Sequence, residues 1–417
     1  MIERYPVVVI GAGQAGLSVS YYLTERRIKH VVLEQARIAD AWRTKRWDNF
    51  CLVTPNWQCQ LPGFPYGGDD PDGFMLKDEI VAYVEAFAAS FEAPVREGVS
   101  VQKLSRARDG YLLETTRGRI FAGQVVVAVG AYHRPTLPQG TSDIPSNILQ
   151  IHSSDYKNAD ALPPGEVLVG GSGQSGCQIA EDLHLAGRKV HLCLGDAPRS
   201  PRKYRGKDVV AWLDDLAYYD TPIDVHPDVD MVRNKTNHYL TGRDGGREID
   251  LREFAREGMQ LYGFLEGIAG PTLTFAPDVQ ARLDSADATY NGIRCLIDKY
   301  IADNGIQAPE APPYVPPWQP LTSPTTLNLE SAGITSIIWC LGFRHDFGFV
   351  DVPVFDSRGY PRYQRGVTES LGLYFIGLPW LHTWGSGRFA GVARDAQYLC
   401  DQIAVVLARP THATSRA

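Results

Sequence analysis

The sequence predicts an α/β protein with two Rossmann-like dinucleotide-binding domains, the second inserted into the first. Three observations predict it. The apolar run Val7 to Ile10 leads directly into Gly11, Gly13 and Gly16, spaced G-x-G-x-x-G. The run from Val167 leads into Gly171, Gly173 and Gly176 with the same spacing. The chain has 417 residues, too many for one compact core and enough for two or three domains.

Composition narrows the function classes. Apolar content is 44% and charged content 21%, ordinary for a globular enzyme. The net charge of −7 argues against a nucleic-acid binder that depends on phosphate contacts. No apolar run approaches the roughly 20 residues that cross a bilayer. A strand begins within the first ten residues, which leaves no room for a signal peptide, so the expected location is the cytoplasm. The seven cysteines (Cys51, Cys59, Cys177, Cys193, Cys295, Cys340 and Cys400) are scattered and lack C-x-x-C spacing. They read as reduced thiols in packed surroundings, with no metal site and no disulfide framework.

In the first motif, Gly11 permits a tight turn, Gly13 lets a pyrophosphate approach the backbone, and Gly16 lets helix and strand pack closely. A helix carrying Tyr21 and Leu23 follows, then a strand over Ile28 to Leu33. Glu34 ends that strand, 23 residues after Gly11 (34 − 11), where an acid accepts hydrogen bonds from ribose hydroxyls. Residues 39–66 break all periodicity and hold Trp42, Arg43, Asn56 and Gln58 among prolines and aromatics. Such a stretch suits an ordered loop over a large planar ligand; the alternative is a purely structural loop. A helix is expected from Leu76 to Phe91. Short strands follow over Val99 to Leu104, Tyr111 to Glu114, Arg119 to Phe121 and Val125 to Val129. Gly130 then lets the chain turn beside a ligand.

The second motif repeats the device, with Gln174, Ser175 and Gly176 opening a helix that runs to about Ala186. Val190 to Leu194 is the next strand. The position matching Glu34 is 171 + 23 = 194, a leucine, and Arg199, Arg202, Lys203, Arg205 and Lys207 follow. A missing acid with cations downstream favours a ribose carrying a 2′-phosphate, hence NADPH over NADH, although Asp196 weighs the other way. Trp212 to Asn304 reads as mostly helical and irregular, with helices over Leu251 to Gln260 and Asn291 to Ile301. The proline-rich residues 308–324 cannot form regular structure. Strands return at Ile334 to Cys340, before Gly342, and at Leu373 to Ile376, before Gly377. A last helix runs from near Phe389 through Gln402, and the tail after Arg409 reads as disordered.

These residues carry a resemblance. The two motifs, Gly11 to Gly16 and Gly171 to Gly176, the block Leu52 to Pro65 with Cys59-Gln60-Leu61-Pro62, and the terminal Gly372 to Gly377 together resemble the flavin-containing monooxygenase superfamily. The pattern is close to that of plant auxin-forming flavin monooxygenases and bacterial relatives. His152 and Tyr156 keep two places of that family's fingerprint, while Ser146 and Ile148 depart from the other two. The resemblance implies FAD on the first motif and NADPH on the second. It divides the chain into FAD-binding residues 1–160, an NADPH-binding insertion 161–325, and the rest of the FAD domain, 326–417. The implied reaction passes hydride from NADPH to flavin, forms a flavin C4a-hydroperoxide with O2 and inserts one oxygen atom into a small, apolar or aromatic molecule. The alternative is an NAD(P)H-dependent flavin oxidoreductase or dehydrogenase without oxygen insertion; a redox-linked regulatory flavoprotein is a third reading.

The cofactor-binding residues expected on this basis are Gly11, Gly13, Gly16, Glu34, Trp42, Arg43, Gly130, Gly171, Gly173, Gln174, Ser175, Gly176, Arg199, Arg202, Gly342 and Gly377. Asn56 and Gln58 are the expected catalytic residues. Cys51 and Cys59 are spaced too widely for the redox pair that flavin disulfide reductases carry in this region. His152 and His345 stand as either hinge or site residues. Expected partners are a small-molecule substrate and O2, with neither nucleic acid nor membrane, and a homodimer as the assembly to test.

Overall fold

Parallel strands Glu3–Ile10 and His30–Leu33 pair from Val7 with His30 to Ile10 with Leu33. Over these four positions both strands are buried and almost wholly apolar, the pattern of strands covered on both faces. The computed structural model describes residues 2–234 and 236–409; the tail beyond Arg409 lies outside them. On its other side Glu3–Ile10 pairs with Gly118–Val127, one ten-residue strand where two pieces were expected. The two halves of that strand have different neighbours. The first pairs antiparallel with Gly110–Thr115 and the second parallel with Leu373–Phe375. Gly123 sits between the halves, where a Cβ would come 2.9 Å from the Pro6 carbonyl oxygen.

The second sheet is wholly parallel, in the order Leu149–His152, Ile334–Trp339, Glu166–Gly170, Val190–Cys193, Gln260–Tyr262. Two of its strands come from outside residues 161–325. The reason is a shared requirement. The motif strand Glu3–Ile10 has a neighbour on each side, and Ile334–Trp339 gives Glu166–Gly170 the same cover that Gly118–Val127 gives Glu3–Ile10.

The region expected to be helical and irregular contains strands Leu265–Ala269 and Thr272–Phe275, which join Thr326–Asn328 in a small antiparallel sheet. The helix expected at Asn291 begins earlier, as Val279–Asp303. Residues 308–324 form no helix or strand and lie along the insertion, where Arg252 Nη1 donates to Trp318 O at 3.1 Å. The helix Val392–Leu407 packs on Gln14–Glu25, the helix of the first motif. Among the described residues no helix is long and apolar enough to cross a membrane. Both glycine motifs lie at the carboxyl ends of their parallel strands, where open α/β sheets bind ligands.

Candidate active site

Gly11 has φ +106°, and a Cβ there would meet Ala128 O at 2.6 Å. A Cβ on Gly16 would lie 1.9 Å from Gly11 O, so only glycine allows helix Gln14–Glu25 to sit this close to the turn. Gly13 is different. Nothing lies within 4 Å of its missing Cβ, and it begins a helix whose N-terminus has no side-chain cap. Helix starts normally bring a Ser, Thr, Asp or Asn to their free N–H groups. Here the space and the donors are left to an anion, and the residues fit a dinucleotide pyrophosphate. Glu34 is buried beside them. Its Oε2 accepts from Ala12 N at 2.8 Å and its Oε1 from Ala36 N at 2.9 Å.

A cavity of about 740 Å³ opens from this motif and reaches Gln174, at the head of the second motif's helix. Gly11, Gly13, Glu34, Trp42, Gln58, Gly130 and Gly377 lie on its wall. Gly130 and Gly377 turn with φ +76° and +80°. Gln14 braces the near end. Its Nε2 donates to Gly387 O at 3.0 Å and its Oε1 accepts from Trp42 Nε1 at 3.1 Å. Trp42 in turn stacks on Phe389, with centroids 5.7 Å apart. Gln58 is buried, and its Oε1 has no hydrogen-bond partner among the described residues. A buried acceptor left open on a cavity wall costs free energy unless a ligand satisfies it, which fits a bound group with an N–H edge.

Three expectations about this loop and the insertion are corrected. Asn56 is not on the cavity wall. Its Nδ2 donates to Asp70 O at 3.0 Å and its Oδ1 accepts from Met75 N at 2.7 Å, so its amide ties down residues 70–75. Arg43 also faces away and pairs with Glu85 at 2.5 Å. Arg199 and Arg202 are not free to receive a phosphate. The Arg199 side chain is 2% exposed and sits 3.0 Å from each of Glu248, Asp250 and Asp287. Arg202 is equally buried, bonded to Asp208, to Val53 O at 2.7 Å and to Thr241 O at 3.3 Å. Both guanidinium groups hold the insertion together.

The second motif keeps the backbone geometry of the first. Gly171 has φ +105°, and a Cβ on Gly176 would lie 1.8 Å from Gly171 O. Gly173 meets only Thr236 Cγ2, at an ordinary 3.7 Å, and its helix also lacks a side-chain cap. Ser175 is in the first turn of that helix. Gln174 Nε2 donates to Leu240 O at 2.5 Å and Oε1 accepts from Leu240 N at 3.0 Å, which ties the motif to the segment over the cavity. Gly342 turns with φ +78° and its carbonyl receives His152 Nε2 at 3.2 Å. Ser154 N donates to His152 Nδ1 at 3.2 Å. Burial pushes the His152 pKa down, so the ring is neutral at pH 7 and acts as a link between the ends of adjacent strands. His345 likewise bonds Ala131 O, at 3.1 Å, away from the cavity wall.

Two cavity residues went unread in the sequence. Arg388 lies over the Trp384 ring at 3.9 Å, donates to Asn237 Oδ1 at 3.1 Å, and lines the cavity. Arg46 also lines it, over Trp42 and Phe50 at 5.1 and 5.4 Å. Burial pushes both pKa values down, and among the described residues neither forms an ion pair with a carboxylate. The signal available was position: Arg388 stands between Gly387 and Phe389, directly before the last helix. Beyond Arg388 the wall is apolar, with Val209, Val210, Leu213 and Trp384. Cys51 and Cys59 are free, buried and off the cavity wall, and burial pushes their thiols up to about 11 and about 12.

The chain matches known proteins along its length. The family model for pyridine nucleotide-disulphide oxidoreductases matches residues 8–254. An uncharacterised CzcO-like oxidoreductase of Geobacillus kaustophilus is 31% identical over 401 residues, covering 95% of this chain and 97% of the relative. The rice indole-3-pyruvate monooxygenase YUCCA1 is 31% identical over 189 residues, 44% of this chain and 46% of the plant protein. The structure of a flavin-containing monooxygenase from Stenotrophomonas maltophilia superposes with a TM-score of 0.67 at 18% identity, covering 98% of this chain and 100% of the other. With its two glycine motifs and the cavity that reaches both, the chain belongs to the pyridine nucleotide-disulphide oxidoreductase family.

Proposed function

We propose that the chain is a FAD-dependent, NAD(P)H-consuming monooxygenase. It puts one atom of O2 into a small apolar or aromatic molecule and the other into water, with NAD(P)H supplying two electrons. One observation carries the reading. A single cavity joins the first motif, the head of the second motif's helix and an apolar patch, with no cysteine on its wall.

Bound FAD would supply the redox chemistry, accepting hydride and activating O2. The chain's residues do the rest. Gly13 and the uncapped N-terminus behind it take the pyrophosphate, and Glu34 takes a ribose hydroxyl. Gln58 offers its open Oε1 to an N–H of the ring system. In this reading Gln58 sits at the ring system, while Asn56 acts as a positioning residue for the neighbouring loop. Val209, Val210, Leu213 and Trp384 keep water from the substrate end. Arg388, partly desolvated and without a carboxylate partner among the described residues, favours negative charge developing beside it.

Thioanisole tests the reading as a neutral sulfur probe. With reduced nicotinamide nucleotide and 18O2, the enzyme is expected to form sulfoxide carrying one labelled oxygen, and to release less peroxide than the nucleotide it consumes. If all reducing equivalents return as hydrogen peroxide with thioanisole, indole and cyclohexanone alike, the chain is an NAD(P)H-dependent flavin oxidoreductase without oxygen insertion.

A further inference from the structure

We propose that the second motif selects NADH over NADPH, and that Asp196 makes the selection. This rests on the reading of that motif as the nicotinamide nucleotide site.

The argument starts at the end of strand Val190–Cys193. Leu194 is buried and its N–H donates to Tyr262 O at 2.9 Å, so it presents no polar group to a ribose. Gly195 N donates to Ser172 Oγ at 2.9 Å, which clamps this turn onto the residue between Gly171 and Gly173. The next residue, Asp196, is 88% exposed at its side chain, while Ala197, Pro198, Arg199 and Ser200 turn inward. The rim beside the motif therefore displays one charged group from this turn, a carboxylate. In dinucleotide sites an acid at this rim accepts hydrogen bonds from ribose hydroxyls, whereas cations there receive a 2′-phosphate.

Among the described residues, Lys203 is the one cation of the downstream cluster that is exposed and outside an ion pair, and the others are held elsewhere. Arg199 and Arg202 are enclosed by carboxylates and carbonyls in the interior. Arg205 is paired with Asp298 and Lys207 with Asp215. Arg282 reaches Asp196 at 2.6 Å, but it also holds Asp278 at 2.7 Å. One guanidinium between two carboxylates leaves a net charge of −1. A 2′-phosphate, itself about −2 at neutral pH, would be repelled there. A ribose diol would meet an exposed acceptor already oriented by Arg282.

The test needs no turnover. The flavin-loaded protein is titrated calorimetrically with ADP-ribose and with 2′-phospho-ADP-ribose, two analogues that cannot be oxidised at the nicotinamide. The wild type is expected to bind ADP-ribose at least about tenfold tighter, the scale of one hydrogen bond to a charged group. Asp196→Asn should narrow that ratio about tenfold, and Asp196→Lys should reverse it. Flavin content should be unchanged in both, because the side chain is exposed. Equal or tighter binding of the 2′-phosphorylated analogue by the wild type overturns the proposal, as does an unchanged ratio in Asp196→Asn. If neither analogue binds, the nucleotide reading of the second motif fails and takes the proposal with it. A protein that prefers ADP-ribose yet never oxygenates thioanisole would leave this proposal standing and the oxygenase reading overturned.

Discussion

The two glycine motifs share a backbone and differ in what surrounds it. Gly11 and Gly171 turn with φ within a degree of each other, +106° and +105°. Gly16 and Gly176 each press against the carbonyl of the motif's first glycine. The surroundings diverge at the next strand. Ala12 N reaches forward to a buried acid, Glu34, whereas Ser172 receives Gly195 N and the matching position, Leu194, is apolar. The helices diverge too. The first carries Tyr21, packed against Phe87 and Phe91 at 5.9 and 5.4 Å. The second carries Glu181 and Asp182, both buried, with Asp182 bonded to Tyr156 at 2.7 Å, to Asn49 at 3.0 Å and to Arg243 at 2.5 Å. The same backbone device thus occurs twice, and the side chains beyond it differ in charge and in how each helix is held.

Replacing the glycines by alanine breaks the shared part of the comparison. Gly16→Ala and Gly176→Ala each force a methyl group to within 2 Å of a backbone oxygen. Each is expected to cost on the order of 5 kcal/mol or to abolish folding, measured by urea unfolding. Gly13→Ala should keep the fold, since nothing occupies its Cβ position, and lose flavin. Gly173→Ala should keep both fold and flavin and weaken ADP-ribose. If Gly13→Ala binds flavin normally, the open space at that glycine is not the pyrophosphate cradle.

The shared part was legible in the sequence because it is local. Strand, three glycines and helix lie within about twenty residues, and Glu34 follows at a fixed interval. The fates of Arg199 and Arg202 were not legible. Their carboxylates, at positions 208, 248, 250 and 287, come from elements up to 88 residues away. Only the fold reveals that a basic cluster is an interior ion network rather than a phosphate clamp. Asn56 failed for the same reason, because the backbone it ties down arrives 14 and 19 residues later. The placement of Ile334–Trp339 beside Glu166–Gly170 depends on pairing between residues 168 to 169 positions apart, which no local pattern encodes.

Arginine chemistry sharpens the contrast between the insertion and the cavity. Arg199→Ala would leave Glu248 and Asp250 without their cation, while Asp287 keeps Arg252 at 2.7 Å. Breaking a buried pair in this way costs about 3–5 kcal/mol. The expected result is that loss in urea unfolding, with the ratio of ADP-ribose to 2′-phospho-ADP-ribose affinity unchanged. A change in that ratio without a loss of stability would return Arg199 to the nucleotide site.

The smallest effect separates the two helices by pH. Burial pushes the Glu181 carboxyl from 4.5 up to about 7, while Thr241 and the cations of Arg247 and Arg243 pull it partly back. Arg247 Nε lies 3.5 Å from Oε1, which has no hydrogen-bond partner among the described residues. A carboxyl that holds its proton more tightly folded than unfolded stabilises the fold fully below its unfolded pKa. That contribution is lost as pH rises from about 4.5 through 7. The shift corresponds to on the order of 2–3 kcal/mol after allowance for relaxation around the site. Glu181→Gln replaces the titrating group with a neutral amide of the same shape. The variant should match the wild type near pH 4.5 and exceed it by that amount at pH 8, in urea unfolding at both pH values. Tyr21→Phe on the first helix should show no such divergence over this range. Parallel pH profiles for wild type and Glu181→Gln would mean that Arg247 and Arg243 neutralise the carboxylate completely. The polar face of the second helix would then be as indifferent to pH as the aromatic face of the first.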